Sequence, residues 1–232
     1  MTQSSDLPAP QRRDVVLGRS SRIWQALAQR APLAQRFQHA IGHTELRQFA
    51  FTPADRVWVL AYSRHPQDNT AMLQHLQDAG VAEIVYITSS STIIAPLTDC
   101  YEYPRAKHLA ETQALSMPQG KVLTFGLVVD RLDELPAGRN AATTLDDIAQ
   151  FMLNPVWPVD QGRRANLLRT VQRPFASTLE RICYQVYGWL MARLQRRPCL
   201  LRPLDLVLRT LGMRWYGYTY LSNQLWTNST TS

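Results

Sequence analysis

Short apolar segments alternate with helical segments along the first two thirds of the chain, and this alternation limits the fold more than any other feature. The segments that we predict as strands are 14–18, 56–62, 83–88 and 121–128. They are nearly continuous apolar runs, as in strands buried on both faces of a parallel sheet. Helical spacing of apolar residues lies between them, at 69–79 and 103–115. Strands that alternate with helices predict an α/β fold, a parallel sheet with helices on both faces.

Weaker patterns complete the outline. Residues 46–49 predict a second strand, another helix begins at Asp146, and a long helix covers 177–196. We expect three parts: a flexible arm at 1–13, the α/β domain at 14–158, and a basic, mostly helical extension at 159–232.

Composition excludes several classes of protein. With 232 residues and 45% apolar content, the chain can bury one sizeable core. It contains no apolar run of the roughly 18 to 20 residues that a membrane-spanning helix needs. The first residues lack the apolar core of a signal peptide, so we expect a cytoplasmic protein. Three cysteines without a CxxC pair and five scattered histidines predict neither disulfides nor a metal site.

The positive charge is concentrated at the C-terminal end. From Asp160 onward there are eleven arginines, no lysine and three acidic residues. Such a region suits the phosphates of a nucleotide, an anionic membrane surface, an acidic partner, or simply solvent. No nucleic-acid-binding motif accompanies the arginines, so we expect no nucleic acid partner. The long helix could lie on a bilayer, bury itself in a homodimer interface, or pack against the sheet.

The residues with most chemical significance are a tyrosine and a lysine four positions apart. In the motif Tyr103-Pro-Arg-Ala-Lys107, both side chains fall on one face of a helix, where an ammonium can lower the pKa of a phenol. The serines at 89–91 directly follow a predicted buried strand. A serine hydroxyl there can donate to a substrate oxygen beside the tyrosine.

These motifs and their order resemble a known family. The string Val85-Tyr-Ile-Thr-Ser-Ser-Ser-Thr92 resembles the strand and active-site serine of nucleotide-sugar epimerases and dehydratases. The string from Tyr103 to Glu111 resembles the helix that carries their Tyr-xxx-Lys pair. The chain is therefore similar, over about 14–152, to the extended branch of the short-chain dehydrogenase/reductase superfamily. This resemblance implies a shortened Rossmann-like fold.

The family's phosphate-binding turn is only partly retained. Where the family has Gly-xx-Gly-xx-Gly, this chain has Gly18, Ser21 and Trp24, with the Trp24 ring placed where helix and strand approach closely. One strand-helix unit between Gly18 and Val57 is also missing. Glu45 and Arg47 are the nearby candidates for the ribose-binding position.

The resemblance also implies roles for individual residues. Tyr103 is the general acid/base, Lys107 lowers its pKa and holds the nicotinamide ribose, and Ser90, with Ser89 and Ser91 as rivals, holds the reacting oxygen. Hydride passes to or from NAD or NADP. The residues expected to bind this cofactor are Gly18, Arg19, Ser20, Ser21, Arg47, Ala61, Tyr62 and Lys107.

Two functions follow from the resemblance. One is an NAD(P)-dependent epimerase, reductase or dehydratase that acts on a nucleotide sugar, as in surface-polysaccharide synthesis, with the basic extension contacting the substrate diphosphate. The other is a catalytically inactive relative that serves as a binding, regulatory or scaffolding module. The Ser, Tyr and Lys residues favour the first, and the altered glycine turn favours the second. A homodimer is expected in either case.

Overall fold

The computed structural model describes residues 12–98, 100–160, 162–194, 197–212 and 217–229. Its strands, in chain order, are β1 (Arg13–Leu17), β2 (His39–Ile41), β3 (Asp55–Val59), β4 (Glu83–Ser89), β5 (Gly120–Phe125), β6 (Leu127–Val129), β7 (Gly138–Thr144), β8 (Arg164–Asn166) and β9 (Arg169–Arg173). Within the described residues, the main sheet has six strands in the order β2-β1-β3-β4-β5-β8, and every neighbouring pair is parallel. The predicted parallel α/β sheet is confirmed.

Helices cover both faces of this sheet. They are α1 (Arg22–Leu27), α2 (Ala31–Arg36), α3 (Pro66–Asp78), α4 (Glu102–Ser116), α5 (Leu145–Leu153), α6 (Thr178–Leu194), α7 (Pro198–Thr210) and α8 (Tyr218–Ser229). On one face, α3 and α4 pack against the sheet through residues such as Leu73 and Ala110. On the other face, α1, α2 and α5 pack through residues such as Leu27, Leu33 and Ile148. The middle residues of the central strands are apolar because both faces are covered, whereas charged residues such as Asp55 and Glu83 stand at the starts of the strands.

The predicted strand at 121–128 is divided in two at Gly126. A Cβ at this position would lie 2.2 Å from the carbonyl oxygen of Ala141, so only glycine allows the chain to pass so close. The Gly126 N–H donates to the Thr143 hydroxyl at 2.9 Å. Beyond it, β6 leaves the main sheet and joins β7 and β9 in a small second sheet.

The predicted second strand at 46–49 is wrong. This segment is a turn after a short 3-10 helix, and the strand that pairs with β1 is β2, only three residues long. Leu46 is nevertheless buried, and Phe49 packs edge-on against the His39 and Phe51 rings. Leu46 and Phe49 therefore pack in the core although their segment is a turn.

The sheet continues past the predicted domain boundary at 158/159. Strand β8 pairs with β5 at the edge of the main sheet, and β9 pairs with β7 in the second sheet. After β9 the described chain is helical, as predicted for the C-terminal extension. Of the predicted arm, residues 1–11 lie outside the described residues, and Arg13 begins β1. No helix in the described ranges is long and apolar enough to cross a membrane.

Candidate functional site

The carboxyl ends of β1 and β3 border a cleft of about 610 Å³. Strand β1 lies between β2 and β3, so the chain connections run in opposite directions from this point of the sheet. Open α/β sheets bind their ligands in the crevice at such a switch point. The lining residues that the sequence predicted are Gly18, Ser20, Ser21, Ala61 and Tyr62. The cleft thus lies where open α/β sheets bind ligands, and it brings together five of the eight residues that were expected to bind the cofactor.

Further lining residues were not predicted from the sequence. They include His43, which follows β2, and Ser63, Arg64 and His65, which follow β3. Arg64 is exposed and forms no ion pair among the described residues. Its guanidinium is therefore available to an anionic group of a ligand. The signal that could have found it is its place just after a buried strand at the switch point.

Gly18 is required by the backbone itself. Its φ angle is +121°, and a Cβ would lie 2.6 Å from the backbone nitrogen of Ala61. The Gly18 N–H donates to the Ile41 carbonyl at 2.9 Å, which ties the end of β1 to the end of β2. Any side chain at this position would force β1 and β3 apart.

Ser21 and Trp24, which stand where the family has glycines, are accommodated without filling the cleft. The Ser21 hydroxyl caps α1 by accepting from the Trp24 N–H at 3.1 Å. The Trp24 ring turns into the core, where it packs edge-on against Phe37 with ring centres 5.6 Å apart. Trp24 is buried and does not line the cleft. Replacement of the two glycines therefore leaves the cleft open.

Charged residues near the end of β2 form a local cluster. Arg19 donates to the Glu45 carboxylate at 2.7 Å, and the same carboxylate accepts from the Gly42 N–H at 2.9 Å. The Gly42 hydrogen bond, with Arg19, keeps the pKa of Glu45 below its usual range. Arg47 is exposed, and neither it nor Arg19 lines the cleft. Of the two ribose-site candidates, Glu45 belongs to this cluster but, like Arg47, does not line the cleft.

Tyr103 lies near the start of α4, beside the cleft. Its ring meets that of Tyr62 edge-on at 5.0 Å and stacks on that of Tyr218 at 5.5 Å. Burial raises the pKa of Tyr103 to about 12, Tyr218 adds to the rise, and a hydrogen bond with the Ser89 side chain opposes it. Lys107 is not among the groups that shift the pKa of Tyr103, so the lowering by Lys107 that the resemblance implies stays a prediction.

The three serines after β4 have separate positions. Ser89 is the one whose hydroxyl bonds with Tyr103, and it also accepts from the Ser91 hydroxyl at 3.0 Å. Ser90, the predicted catalytic serine, is buried, and its carbonyl accepts from the Trp226 indole N–H at 2.7 Å. The structure therefore brings Ser89, rather than Ser90, together with Tyr103.

Lys107 is enclosed on the inner side of α4. Its ammonium donates to the Ile87 carbonyl at 2.8 Å and lies 5.2 and 4.9 Å from the ring centres of Tyr62 and Tyr86. Burial lowers the pKa of Lys107 to about 7, and Glu111 opposes the shift. Lys107 thus reaches the cleft-lining Tyr62 but directs its hydrogen bond into β4.

Helix α8 covers the outer side of the site. It brings Tyr218 onto Tyr103 and Trp226 onto the backbone of Ser90. Near the start of α8, the Asp205 carboxylate accepts hydrogen bonds of 2.7 Å from both Tyr101 and Tyr187. No local pattern in the sequence links these residues. The contribution of α8 to the site was therefore not predicted.

No protein-family profile and no curated protein sequence matches this chain. Solved structures do. The NAD-dependent NDP-hexosamine 5,6-dehydratase TunA, involved in tunicamycin biosynthesis, is 14% identical with a TM-score of 0.51, over 80% of this chain and 83% of its own. A nucleoside-diphosphate-sugar epimerase from Staphylococcus aureus is 15% identical with a TM-score of 0.50, over 76% and 77%. A short-chain dehydrogenase/reductase from Veillonella parvula is 10% identical with a TM-score of 0.50, over 72% and 100%.

At these identities the comparison concerns the fold. The solved structures confirm the Rossmann-like fold that the resemblance to the extended short-chain dehydrogenases/reductases implied.

Proposed function

We propose that this chain binds NAD in the switch-point cleft and acts as an oxidoreductase, epimerase or dehydratase on a nucleotide sugar. The observation that carries the proposal is the contact between the cleft and the reactive residues. Tyr62 lines the cleft, and its ring contacts both Tyr103 and Lys107. A cofactor in the cleft would therefore lie against Tyr62, whose ring contacts that of Tyr103.

The cleft residues fit a dinucleotide. The volume of the cleft lies within the range of about 300 to 1,000 Å³ that is usual for ligand pockets. Ser20 and Ser21 offer hydroxyls, and Arg64 offers a guanidinium to the pyrophosphate; the Asp68 carboxylate also lines the cleft, where it accepts from the Ser63 hydroxyl. Glu45 does not line the cleft but lies two positions after His43, which does, and its carboxylate would favour a free ribose 2′-hydroxyl over a 2′-phosphate near the end of β2. These features support NAD over NADP.

The protein residues divide the remaining chemistry. NAD, when bound, would accept or return a hydride. With its pKa near 12, Tyr103 carries its proton at neutral pH and so serves as a proton donor to a substrate oxygen. Ser89, already hydrogen-bonded to Tyr103, holds that oxygen in place. Lys107 positions Tyr62 through its cation–π contact.

Cofactor binding is tested by calorimetry with NADH and NADPH. We expect micromolar binding of NADH and weaker binding of NADPH. Arg64→Gln removes a charge-assisted hydrogen bond and should weaken NADH binding by about tenfold or more. Arg131→Gln, which removes an exposed arginine paired with Asp133 outside the cleft, is the matched control. Absence of binding at millimolar NADH would refute the proposal.

Catalysis is tested separately with a panel of UDP- and dTDP-sugars. Tyr103→Phe removes the proton donor and keeps the ring that stacks on Tyr218. We expect it to abolish turnover and to leave NADH binding unchanged. Ser89→Ala should lower turnover more than Ser90→Ala, because Ser89 is the serine that bonds with Tyr103. Binding of NADH without turnover of any sugar by the unmodified protein would identify a binding module instead.

A further inference from the structure

Helix α6 exposes an apolar stripe on the side that faces away from its packed residues. Its packed side carries Cys183, Tyr187 and Met191. The stripe consists of four exposed side chains: Leu179 (70% exposed), Ile182 (49%), Val186 (51%) and Trp189 (56%). Spacing of three and four residues places them on one side of the helix. Four large apolar side chains in one row are more than the scattered exposure that is normal for a protein surface.

The neighbouring helix α7 adds a second exposed row. Leu200 and Val207 in α7, and Leu211 directly after it, are 46%, 53% and 65% exposed, and their spacing of seven and four residues places them on one side. The two helices pack against each other and the body through Tyr187, Met191 and Leu201. Each helix therefore packs one apolar side against the body and exposes a second row of apolar side chains to solvent.

Arginines accompany the two rows. Between 178 and 211 the sequence has six arginines and two acidic residues. Arg181, Arg193, Arg197 and Arg202 form no ion pair within the described part of the chain. Both acidic side chains are engaged elsewhere: Glu180 accepts from the Ala176 N–H, and Asp205 from two tyrosines. By sequence, 178–211 therefore carries a net excess of four positive charges beside the apolar rows.

At the end of the α6 stripe, an arginine and a tryptophan form one unit. The Arg193 guanidinium lies 3.9 Å from the centre of the Trp189 ring. Tryptophan prefers the boundary between lipid headgroups and acyl chains, and arginine extends from that depth to the phosphates. Helices that lie in this boundary combine such residues with leucine and isoleucine on their apolar side.

We propose that the exposed face of α6 and α7 binds the surface of an anionic lipid bilayer. A second copy of the chain fits this face poorly. In a twofold interface the same patch meets itself, so the unpaired arginines of one copy would lie near those of the other. Anionic headgroups, by contrast, neutralise the arginines while the apolar rows enter the acyl boundary. The proposal is independent of cofactor binding and catalysis.

The test is co-sedimentation of the full chain with vesicles. One set contains phosphatidylglycerol and phosphatidylcholine in equal parts, and the other contains phosphatidylcholine alone. We expect binding to the anionic vesicles at low salt, little binding to the neutral ones, and release at about 1 M salt, where the Debye length falls to about 3 Å. A chain that stays in the supernatant, or that binds both vesicles equally, overturns the proposal.

Variants separate the contribution of the arginines to membrane binding from that of the exposed apolar side chains. Arg193→Gln with Arg197→Gln should lower the partition coefficient about 30-fold, at about 1 kcal/mol for each basic residue near an anionic surface. Ile182→Ser with Trp189→Ser should abolish binding at low salt. The control is Val156→Ser with Val159→Ser, which removes exposed apolar side chains elsewhere and should bind normally.

Circular dichroism checks that each variant is folded, which is expected because the changed side chains point into solvent. Unchanged vesicle binding by the Ile182/Trp189 variant would overturn the proposal. So would a stable dimer in analytical ultracentrifugation that this variant dissociates, because the face would then be a protein interface.

Discussion

The buried ammonium of Lys107 predicts an unusual pH dependence of stability. Lys107 is enclosed by α4, β4 and two tyrosine rings, and burial lowers its pKa from 10.5 to about 7. Lys107→Met keeps the length and apolar stem of the side chain and removes the charge. The variant loses the hydrogen bond to the Ile87 carbonyl, which costs about 1 to 3 kcal/mol at every pH. The pH-dependent part of the difference therefore isolates the charge.

The magnitude follows from the two pKa values. In the unfolded chain the lysine titrates near 10.5, so between pH 7 and 10.5 the unfolded chain binds more protons than the folded one. Stability due to this group therefore rises with pH across that window. Burial of the charge costs roughly 5 kcal/mol below pH 7, and the cost disappears above pH 10.5. Between pH 7 and pH 9 the wild type should gain about 2 kcal/mol from Lys107 that the methionine variant does not gain.

The assay is urea unfolding of both proteins at pH 7, 8 and 9. The free energy of unfolding of Lys107→Met, minus that of the wild type, should fall by about 2 kcal/mol from pH 7 to pH 9. Other groups titrate alike in both proteins and cancel in the difference. Parallel stability curves across this range would refute the reasoning, because they would mean that Lys107 keeps an ordinary pKa in the folded chain.

Three further substitutions test individual contacts. Gly18→Val should lower the free energy of unfolding by about 2 to 4 kcal/mol in urea, because its Cβ would meet the backbone of Ala61 and its φ is positive; a loss under 1 kcal/mol would contradict the close approach. Tyr218→Ala should lower the pKa of Tyr103, seen as earlier ionisation in an absorbance titration against Tyr103→Phe, since Tyr218 helps to bury it. An unchanged titration would mean that α8 does not cover the ring in solution. Thr144→Ala removes the N-cap of α5 and should cost about 1 kcal/mol in the same unfolding assay, whereas Thr144→Ser should cost much less.

The sheet was predictable because its central strands are encoded locally. The segments at 56–62 and 83–88 are nearly continuous apolar runs, and such runs between helices have few alternatives to a covered parallel sheet. The strand β2 was missed because it has three residues, His39–Ile41, too few for a periodic signal. Its place in the sheet comes from pairing with β1, which the sequence does not display.

Of the candidate site, the sequence predicted only what the spacing of residues along a helix determines. Spacing places Tyr103 and Lys107 on one side of α4, but it does not determine the partner of either group. Lys107 bonds with Ile87 in β4, twenty positions away. Tyr101 bonds with Asp205, 104 positions away. Contacts at such separations depend on the packing of whole helices, so neither the buried ammonium nor the position of α8 follows from the motif.

The three positions of the glycine turn explain how the fold persists while the cofactor motif changes. Gly18 is fixed by the approach of β1 to Ala61, a requirement of the sheet that exists with or without a ligand. The family has its other two glycines at the positions of Ser21 and Trp24. In this chain Ser21 caps a helix and Trp24 packs in the core. A loss of binding in a Gly18 variant would therefore report on the sheet. Arg64 lines the cleft, is exposed and has no ion-pair partner among the described residues, so its substitution changes the cleft without disturbing the core. NADH binding by the Arg64 variant is for that reason the measurement that separates cofactor recognition from folding.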